Sequence, residues 1–416
     1  MKNDRLGKFA GVLARQGILV AFILFMIGFS LWNARFISVE NVFGVVRSSA
    51  ILGVMALGVT FVVIGGNLDL SVGSLMSFSA IVVLDLHENP AFGPALAIPA
   101  MFAMTMAIGA LNGFLVGYLR LNSLIVTLGM LSAIHGLTLT YSGGQNMDIA
   151  NQEATWFGIF GRGTALGIPI PVLIFAGLAA VLAILLAKTP FGRKVYAVGG
   201  NEVAATFSGI PRARVVFFTY LISSFCVATA GLIQASRTMG AQNTVGQGLE
   251  LEVLAAVILG GASLLGGSGT VFKTVIGVLI LGFIQNGLLL AGLEFYVQFV
   301  VTWIIIILAV WLDIAAKRGR LWSPIQRMNT TDLIKGGAIW GFIVLELVFF
   351  SVAGSFWSLS ESAFMDFDNM LLLLKQSAPI GIIAVGMTII MINGNIDLSV
   401  GATFALSAVV MLDSMN

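Results

Sequence analysis

Long apolar blocks separated by short polar stretches run along nearly the whole chain. The blocks are about 17 to 25 residues long and almost free of charge, the length that a helix needs to cross a hydrocarbon core of about 30 Å. The pattern predicts an all-α polytopic membrane protein. About ten spans are predicted in the first part of the chain, near residues 17–34, 49–65, 69–86, 93–118, 122–141, 167–187, 214–235, 250–265, 271–291 and 296–315.

The block pattern contains an internal repeat. Ser49 to Asp85 align without gaps on Ser377 to Asp413, and about half of the positions are identical. The polar residues match best, because the segment Gly-Asn-Leu-Asp-Leu-Ser-Val-Gly at 66–73 returns as Gly-Asn-Ile-Asp-Leu-Ser-Val-Gly at 394–401. Shared hydrophobicity alone would not match those residues, so we interpret the second segment as a copy of the first.

The repeat divides the chain into a transmembrane unit at 1–320, a cytoplasmic linker at 321–335 and a second unit at 336–416. The second unit has about three spans, the first of them near 336–356. The first spans of both units run outward, so the copies are predicted to be parallel. Three spans alone would leave small-residue faces unpartnered, which favours a truncated piece of a longer tandem protein over a degenerate second unit.

Composition and charge agree with a membrane protein. Apolar residues make up 58% of the 416 residues and charged residues 10%, against roughly 45–50% and about 25% in soluble domains. With a cytoplasmic N-terminus, sixteen of the 21 basic residues lie inside, as the positive-inside rule requires. The exceptions are Arg35, Arg47, Arg162, Arg237 and Lys375. The net charge of +2 forms no basic stripe with interleaved aromatic residues, so nucleic acid is excluded as a partner and lipid is expected to surround the spans.

The segment at 66–73 places an acidic residue between two apolar helices. An ionisable group at membrane depth costs about 2.5–3.5 kcal/mol and normally faces the protein interior or a cavity. Asn67 or Asp69 could cap the following helix, or Asn67, Asp69 and Ser71 could contact a solute or gate its path, and these roles are compatible. The second copy offers the equivalent residues Asn395, Asp397 and Ser399.

The longest predicted cytoplasmic loop contains a short helix near 201–207. Asn201 caps it, Glu202 lies in its first turn and Gly209 stops it. Ala204 and Ala205 form a small-residue face. Such a helix on a basic platform fits the groove of another protein, and a solvated interfacial helix is the alternative.

Two further features lie near residue 260. Glu250 and Glu252 begin a predicted span near its outer end, where they either complement the helix dipole or face a solute. Beyond them, the glycine density between Gly260 and Gly269 exceeds what helix packing needs. This density predicts a broken or re-entrant backbone there, which survives at membrane depth only inside protein or beside water.

The remaining chemistry is sparse. His87 and His135 have no acidic or cysteine partner at ligand spacing, which argues against a metal site. Cys226 is the only cysteine and is expected to be a buried thiol. The segment 267–274 lacks the glycine that a phosphate loop places before its lysine, so nucleotide binding is not expected. No catalytic set is recognisable, and the chain is predicted to be no enzyme and to bind no cofactor.

Several separated motifs resemble one family, the permease subunits of bacterial ABC importers for monosaccharides of the ribose, xylose, arabinose and galactose type. The likeness covers residues 15–320 continuously, and 336–416 resemble the start of the same subunit. The matching segments are 67–73, Asn112-Gly113, Thr127-Leu128-Gly129, the loop 201–209, and the block from Glu250 to Gly267. His135 stands where the family usually carries arginine, and Asn122-Ser123 replaces a proline-rich turn.

The resemblance implies a component of the bacterial inner membrane that forms the path for a small sugar. Its implied partners are two cytoplasmic ATPases, which would hydrolyse ATP, a periplasmic sugar-binding protein, and a second permease unit, fused or separate. Asn201, Glu202, Ala204, Ala205 and Gly209 would couple the ATPase to the path. Residues along the path or its gate would be Asn67, Asp69, Ser71, Thr127, Glu250, Asn395, Asp397 and Ser399. A secondary transporter or channel is the alternative, and its charge relay would need Asp69 and Asp397.

Overall fold

The structure is a computed structural model. It describes residues 17–89, 91–149, 156–294, 296–298, 300–304, 307, 367–392, 397 and 399–414. The chain forms two compact units, residues 1–322 and 323–416, and the predicted linker and the predicted span 336–356 lie outside the described residues. Each unit is built from helices, as the apolar blocks predict.

In the first unit, the structure describes twelve α-helices from their first residue to their last, and residues 296–298 and 300–304 are helical as well. The twelve helices are α1 (Gly17–Trp32), α2 (Val39–Ile64), α3 (Val72–Glu88), α4 (Gly93–Gly117), α5 (Ser123–Ser142), α6 (Ile159–Arg162), α7 (Ile170–Lys188), α8 (Pro190–Gly200), α9 (Glu202–Phe207), α10 (Arg212–Thr238), α11 (Leu249–Leu259) and α12 (Val271–Leu290). Among the described residues of the whole chain, seven helices are long and apolar enough to cross a membrane. The predicted total of ten spans plus three stays a prediction.

Two ends of the first unit can be told apart. On one side, β1 (Met147–Asp148) pairs antiparallel with β4 (Gly240–Ala241), and β2 (Thr164–Ala165) pairs with β3 (Ile168–Pro169). We call this the strand side, which the predicted topology places outside. The opposite side carries α8 and α9, and we call it the platform side.

Helix α2 and helix α3 occupy the centre of the first unit. From Val54 to Ile64 every side chain of α2 is buried, and most of α3 is buried as well. Helix α10 packs on both of them and on α4. Because α2 and α3 carry the break segment between them, the segment at 65–71 lies inside protein, where non-helical backbone is tolerated at membrane depth.

Glycines set the close approach of α4 to α10. A Cβ at Gly113 would lie 2.9 Å from the carbonyl oxygen of Phe217, and a Cβ at Gly117 would lie 2.7 Å from that of Ala213. Small residues spaced by four let transmembrane helices approach until their backbones touch. This contact brings polar side chains of α4 and α10 within reach of the break segment.

The predicted span at 250–265 is wrong in its length. Helix α11 has 11 residues, which extend over about 16 Å at 1.5 Å per residue, roughly half of the hydrocarbon core. The predicted broken backbone after it is confirmed, because residues 260–270 form no helix and Gly261, Gly266 and Gly267 have positive φ. In this turn Gly267 N donates to Ile64 O at 2.8 Å, so the turn closes the platform end of α2.

The second unit contains α13 (Phe367–Ile392) and α14 (Val400–Ser414). Nearly all of their described side chains are exposed. Like α2 and α3, these two helices flank an Asp-x-Ser segment, of which the structure describes residues 397 and 399. The two segments that match in sequence therefore also match in their helices.

Candidate functional site

A buried polar cluster lies at the break between α2 and α3. Asp69 is 5% exposed. Its Oδ1 accepts hydrogen bonds from Ser71 N at 3.2 Å and from Ser71 Oγ at 2.7 Å, and its Oδ2 accepts from Ser223 Oγ at 3.0 Å. Hydrogen bonds to a charged acceptor are roughly twice as strong as neutral ones. Three donors therefore stabilise a carboxylate that the apolar surroundings alone would disfavour.

Helices α4 and α10 supply the rest of this cluster. Asn112 Nδ2 donates to Ser71 Oγ at 2.9 Å, and Tyr220 OH donates to Leu68 O at 2.7 Å. The N–H of Leu68 donates to Ser123 Oγ at 3.2 Å. The non-helical backbone of the break is thus fixed from three helices, by Asn112 on α4, Tyr220 on α10 and Ser123 on α5.

The capping interpretation needs a correction. Asp69 accepts from the N–H of Ser71, which precedes the first residue of α3, and not from the first turn of the helix itself. Asn67 Nδ2 donates to Gly65 O at 3.1 Å and so closes the end of α2. Both residues order the break as a turn, because short polar side chains bond their own backbone two residues away.

Of the predicted path residues, the structure brings Asp69 and Ser71 together and places them in the packed interior. Thr127 is also fully buried, with its Oγ1 donating to Ser123 O inside α5. Glu250 is only partly buried and lies against Gly73. Among the predicted path residues of the first unit, Asn67, Asp69, Ser71 and Thr127 are buried, and Glu250 is partly exposed.

Asp397 and Ser399 have the same local geometry as Asp69 and Ser71, but they are not buried to the same extent. Asp397 Oδ1 accepts from Ser399 N at 2.8 Å and from Ser399 Oγ at 2.6 Å, as Asp69 does from Ser71. Ser399 is exposed, and Asp397 is no more than partly buried. Asn395, the third predicted residue, lies outside the described residues. The turn is therefore encoded locally, whereas its burial in the first unit depends on other helices.

The predicted coupling helix is α9 on the platform side. Its N-cap is Asn201, whose side chain accepts from Ala204 N at 2.9 Å, and Gly209 follows its end with positive φ. Glu202 Oε1 lies 2.8 Å from Arg212 Nε in an ion pair. The predicted cap, first-turn acid and glycine stop of this helix are confirmed.

Arg212 ties α9 to the membrane helices. It is the first residue of α10, and its guanidinium donates to the carbonyl oxygens of Val116 and Gly117 at 3.0 Å each. Those carbonyls end α4, where a cation also complements the helix dipole. Displacement of α9 would therefore act on the α4–α10 pair that holds Asn112 and Ser223.

The exposed face of α9 differs from the predicted one. Ala204 is exposed, but Ala205 is buried against the platform. The free face is apolar and large, because Val203 is 64% exposed and Phe207 is 89% exposed. The sequence could have indicated this face, because Val203 and Phe207 are four residues apart and residues four apart lie on the same face of a helix.

Helix α8 is fixed to the glycine turn that follows α11. Tyr196 OH donates to Gly269 O at 2.7 Å. Burial raises the pKa of the Tyr196 phenol above its usual value, so the phenol keeps its proton and continues to donate. A Cβ at Gly266 would lie 2.6 Å from Gly199 O, which shows how closely the turn and α8 approach.

Metal chemistry has no described site. Within the part of the chain that the structure describes, no group of three His, Cys, Asp or Glu side chains could hold an ion. Cys226 is buried in α10 against Gly58, as expected for a packed thiol. The polar residues described above form hydrogen-bond networks between helices.

Comparison with known proteins agrees with this architecture. A family model described as "Branched-chain amino acid transport system / permease component" matches residues 41–310. The Ribose import permease protein of Bacillus subtilis is 39% identical over 305 residues, covering 73% of this chain and 94% of that protein.

Two further relatives show the same extent of similarity. The Ribose import permease protein of Escherichia coli K12 is 36% identical over 305 residues, covering 72% of this chain and 94% of its own length. The L-arabinose ABC transporter permease protein of Azospirillum brasilense is 34% identical over 302 residues, covering 73% and 88%. No solved structure matches the chain.

Proposed function

The chain belongs to the family of branched-chain amino acid transport system permease components, and from this premise we propose that it forms the membrane path for a small sugar. It is a multi-pass inner-membrane protein and a transport subunit of an ABC importer, not an enzyme. Permeases of such importers work with ATPase and binding-protein partners. The sugar itself is proposed because the similar proteins named above import ribose or arabinose.

The observation that supports coupling to an ATPase is the free apolar face of α9. Phe207 and Val203 project from a helix whose opposite side is buried and whose start is fixed by the Glu202–Arg212 ion pair. An aromatic anchor on a rigid helix is suited to enter a groove of a partner protein. We infer that the ATPase receives this face, while Asn201 and Gly209 set the bounds of the helix.

The route from the ATPase to the path would run through Arg212. A displacement of α9 would move Arg212, and with it the end of α4, because Arg212 donates to the carbonyl oxygens of Val116 and Gly117. Asn112, about one helical turn back along α4, contacts Ser71, and Ser223, about three turns along α10, contacts Asp69. The break between α2 and α3 would move with them, which gives Asp69 and Ser71 a gating role. In this proposal Thr127 supports α5 beside the same break.

Replacing Phe207 by serine tests the coupling surface. We expect ATP-driven sugar uptake to fall by at least about tenfold, since truncating an aromatic anchor at an interface typically costs about 2 kcal/mol or more. Uptake is measured in cells, with the permease quantified in the membrane and the ATPase tested for co-purification. The matched control is Leu166→Ser, a fully exposed apolar residue between β2 and β3. Equal uptake by the Phe207 and Leu166 variants would contradict the coupling role.

A second experiment separates the importer from a secondary transporter. An ATPase that binds but cannot hydrolyse ATP should abolish uptake, because ATP hydrolysis drives transport in an ABC importer. Uptake that persists on an ion gradient would reject the importer and favour the alternative, with Asp69 as the first residue to examine.

We also propose that residues 336–416 begin a second permease unit, which would supply in one polypeptide the second half of a permease pair. The support is the matched sequence and the matched turn at Asp397 and Ser399. The first residues of each unit would lie on the cytoplasmic side of the membrane. Reading the coding sequence beyond Asn416 should reveal further spans that align with 93–320 at the same offset, and an unrelated continuation would count against a second unit.

A further inference from the structure

The segment before α11 descends from the strand side into the helical unit. Asn243 is still held at the end of α5, where Ser142 Oγ donates to its Oδ1 at 2.9 Å. Three residues later, Gly246 N donates to Ser77 Oγ at 2.8 Å. Ser77 is fully buried and lies eleven residues from the end of α3 at Glu88, about 16 Å along the helix. We name residues 243–248 the descending loop.

Glycine permits this descent. A Cβ at Gly246 would overlap the carbonyl group of Gly73, so the two backbones touch. Helix α11 then starts beside the first turn of α3, deep in the unit and not at its outer end, which corrects the predicted position of Glu250 and Glu252. Polar side chains on and after the descending loop therefore lie at membrane depth.

Gln247 on the descending loop meets His135 on α5. The Gln247 Nε2 lies 3.3 Å from the His135 Nε2. His135 Nδ1 is buried, and no hydrogen-bond partner reaches it within the described residues. The site thus holds one ring nitrogen without a partner.

Glu250 supplies an unmatched acceptor. Its Oε1 accepts from Gly248 N at 3.2 Å. Its Oε2 is buried against Gly73, and the described part of the chain places no donor beside it. Buried polar atoms are nearly always paired, so each exception calls for an explanation. Gln247 adds an exposed amide at the same depth, where contact with lipid would be costly.

We propose that His135, Gln247 and Glu250 form a solute-contact site for a neutral polyhydroxylated molecule, at the point where the descending loop meets α5. Each hydroxyl of such a solute both donates and accepts, so it can pair with the free ring nitrogen of His135, the free carboxylate oxygen of Glu250 and the exposed amide of Gln247. The three side chains include no cation, which disfavours an anionic solute. The inference rests on the proposed function, because the solute is the sugar whose path this chain would form.

The test uses the full chain in lipid vesicles with its ATPase and binding protein, with D-ribose as the probe. Uptake and ATP hydrolysis are measured in the same vesicles. We expect Gln247→Ala and His135→Ala to lower the sugar moved per ATP by about tenfold, the effect of losing roughly one hydrogen bond to the solute. Hydrolysis stimulated by the binding protein should stay within about twofold, since none of the contacts described for these residues is with α9.

Two controls make the result decisive. Gln242→Ala removes an exposed amide just before the descending loop and should leave the ratio of sugar to ATP unchanged. His135→Gln keeps a donor and an acceptor and should restore most of that ratio. An unchanged ratio in Gln247→Ala and His135→Ala, or a parallel loss of uptake and hydrolysis, would overturn the site. Wild-type vesicles without ATP-driven uptake would overturn the proposed function and the site with it.

Discussion

Replacing Asp69 by alanine is expected to destabilise the permease and abolish uptake. The change leaves three donors without their acceptor, the N–H and hydroxyl of Ser71 and the hydroxyl of Ser223. A buried donor that loses its partner costs about 1–3 kcal/mol, and hydroxyls can rotate toward other acceptors, so we expect a loss of about 3 kcal/mol in the free energy of unfolding. The measurement is unfolding in detergent, followed by uptake at matched membrane levels.

The chain provides its own control for this prediction. Asp397 accepts from Ser399 as Asp69 does from Ser71, but the structure describes no side chain from another helix on it. Asp397→Ala removes the same local turn and should leave the unfolding of the first unit unchanged. If Asp69→Ala and Asp397→Ala changed the unfolding of the first unit equally, the hydrogen bond from Ser223 to Asp69 would make no measurable contribution to stability. Asp69→Asn separates charge from shape, because asparagine keeps one acceptor for Ser71.

Replacing Gly58 by valine is expected to separate α2 from α10. A Cβ at this position would lie 2.8 Å from Ser223 Cα and 2.9 Å from Cys226 Cβ. Backbone cannot move aside as a flexible side chain does, and overpacking of this kind costs about 1–3 kcal/mol, occasionally more. The displaced helix would also carry Ser223 away from Asp69, so stability and uptake should fall together. Thermal unfolding in detergent and uptake in cells measure the two effects.

Gly386 is the matched control, because it occupies the equivalent position in the repeat. A Cβ there meets nothing within 4 Å. Gly386→Val should therefore leave the folding of the first unit unchanged, although it introduces the same side chain into the same kind of helix. A loss of uptake in the Gly386 variant would show that the second unit packs through this face in the membrane, as Gly58 does in the first.

The comparison of the two copies separates local from tertiary effects. Both Asp-x-Ser turns have the same hydrogen bonds, since they join residues two apart. Such contacts depend on the neighbouring residues alone and can be predicted from sequence. Burial of Asp69 depends on Ser223, which lies 154 residues away in the chain. No pattern in the sequence indicates that pairing.

Helix α9, the proposed coupling helix, shows the same limit of prediction from sequence. Its cap at Asn201 and its stop at Gly209 follow from residue type and spacing. Its exposed face does not, because the orientation of a short helix depends on what its buried side contacts. The structure buries Ala205 and exposes Phe207, the reverse of a small-residue face. The sequence prediction was right about the helix, and on its surface it was right about the exposure of Ala204 and wrong about that of Ala205.

By itself, the sequence determined the membrane class, most of the long helices, the break at 65–71, the broken backbone after residue 260 and the internal repeat. These features depend on apolar block length, on glycine and on polar residues close together in the chain, so they are encoded locally. Only the tertiary structure decided the depth of α11 and the meeting of Gln247 with His135, 112 residues apart. Those contacts arise where glycine faces let helices and loops approach, and that fit depends on the shapes of both partners.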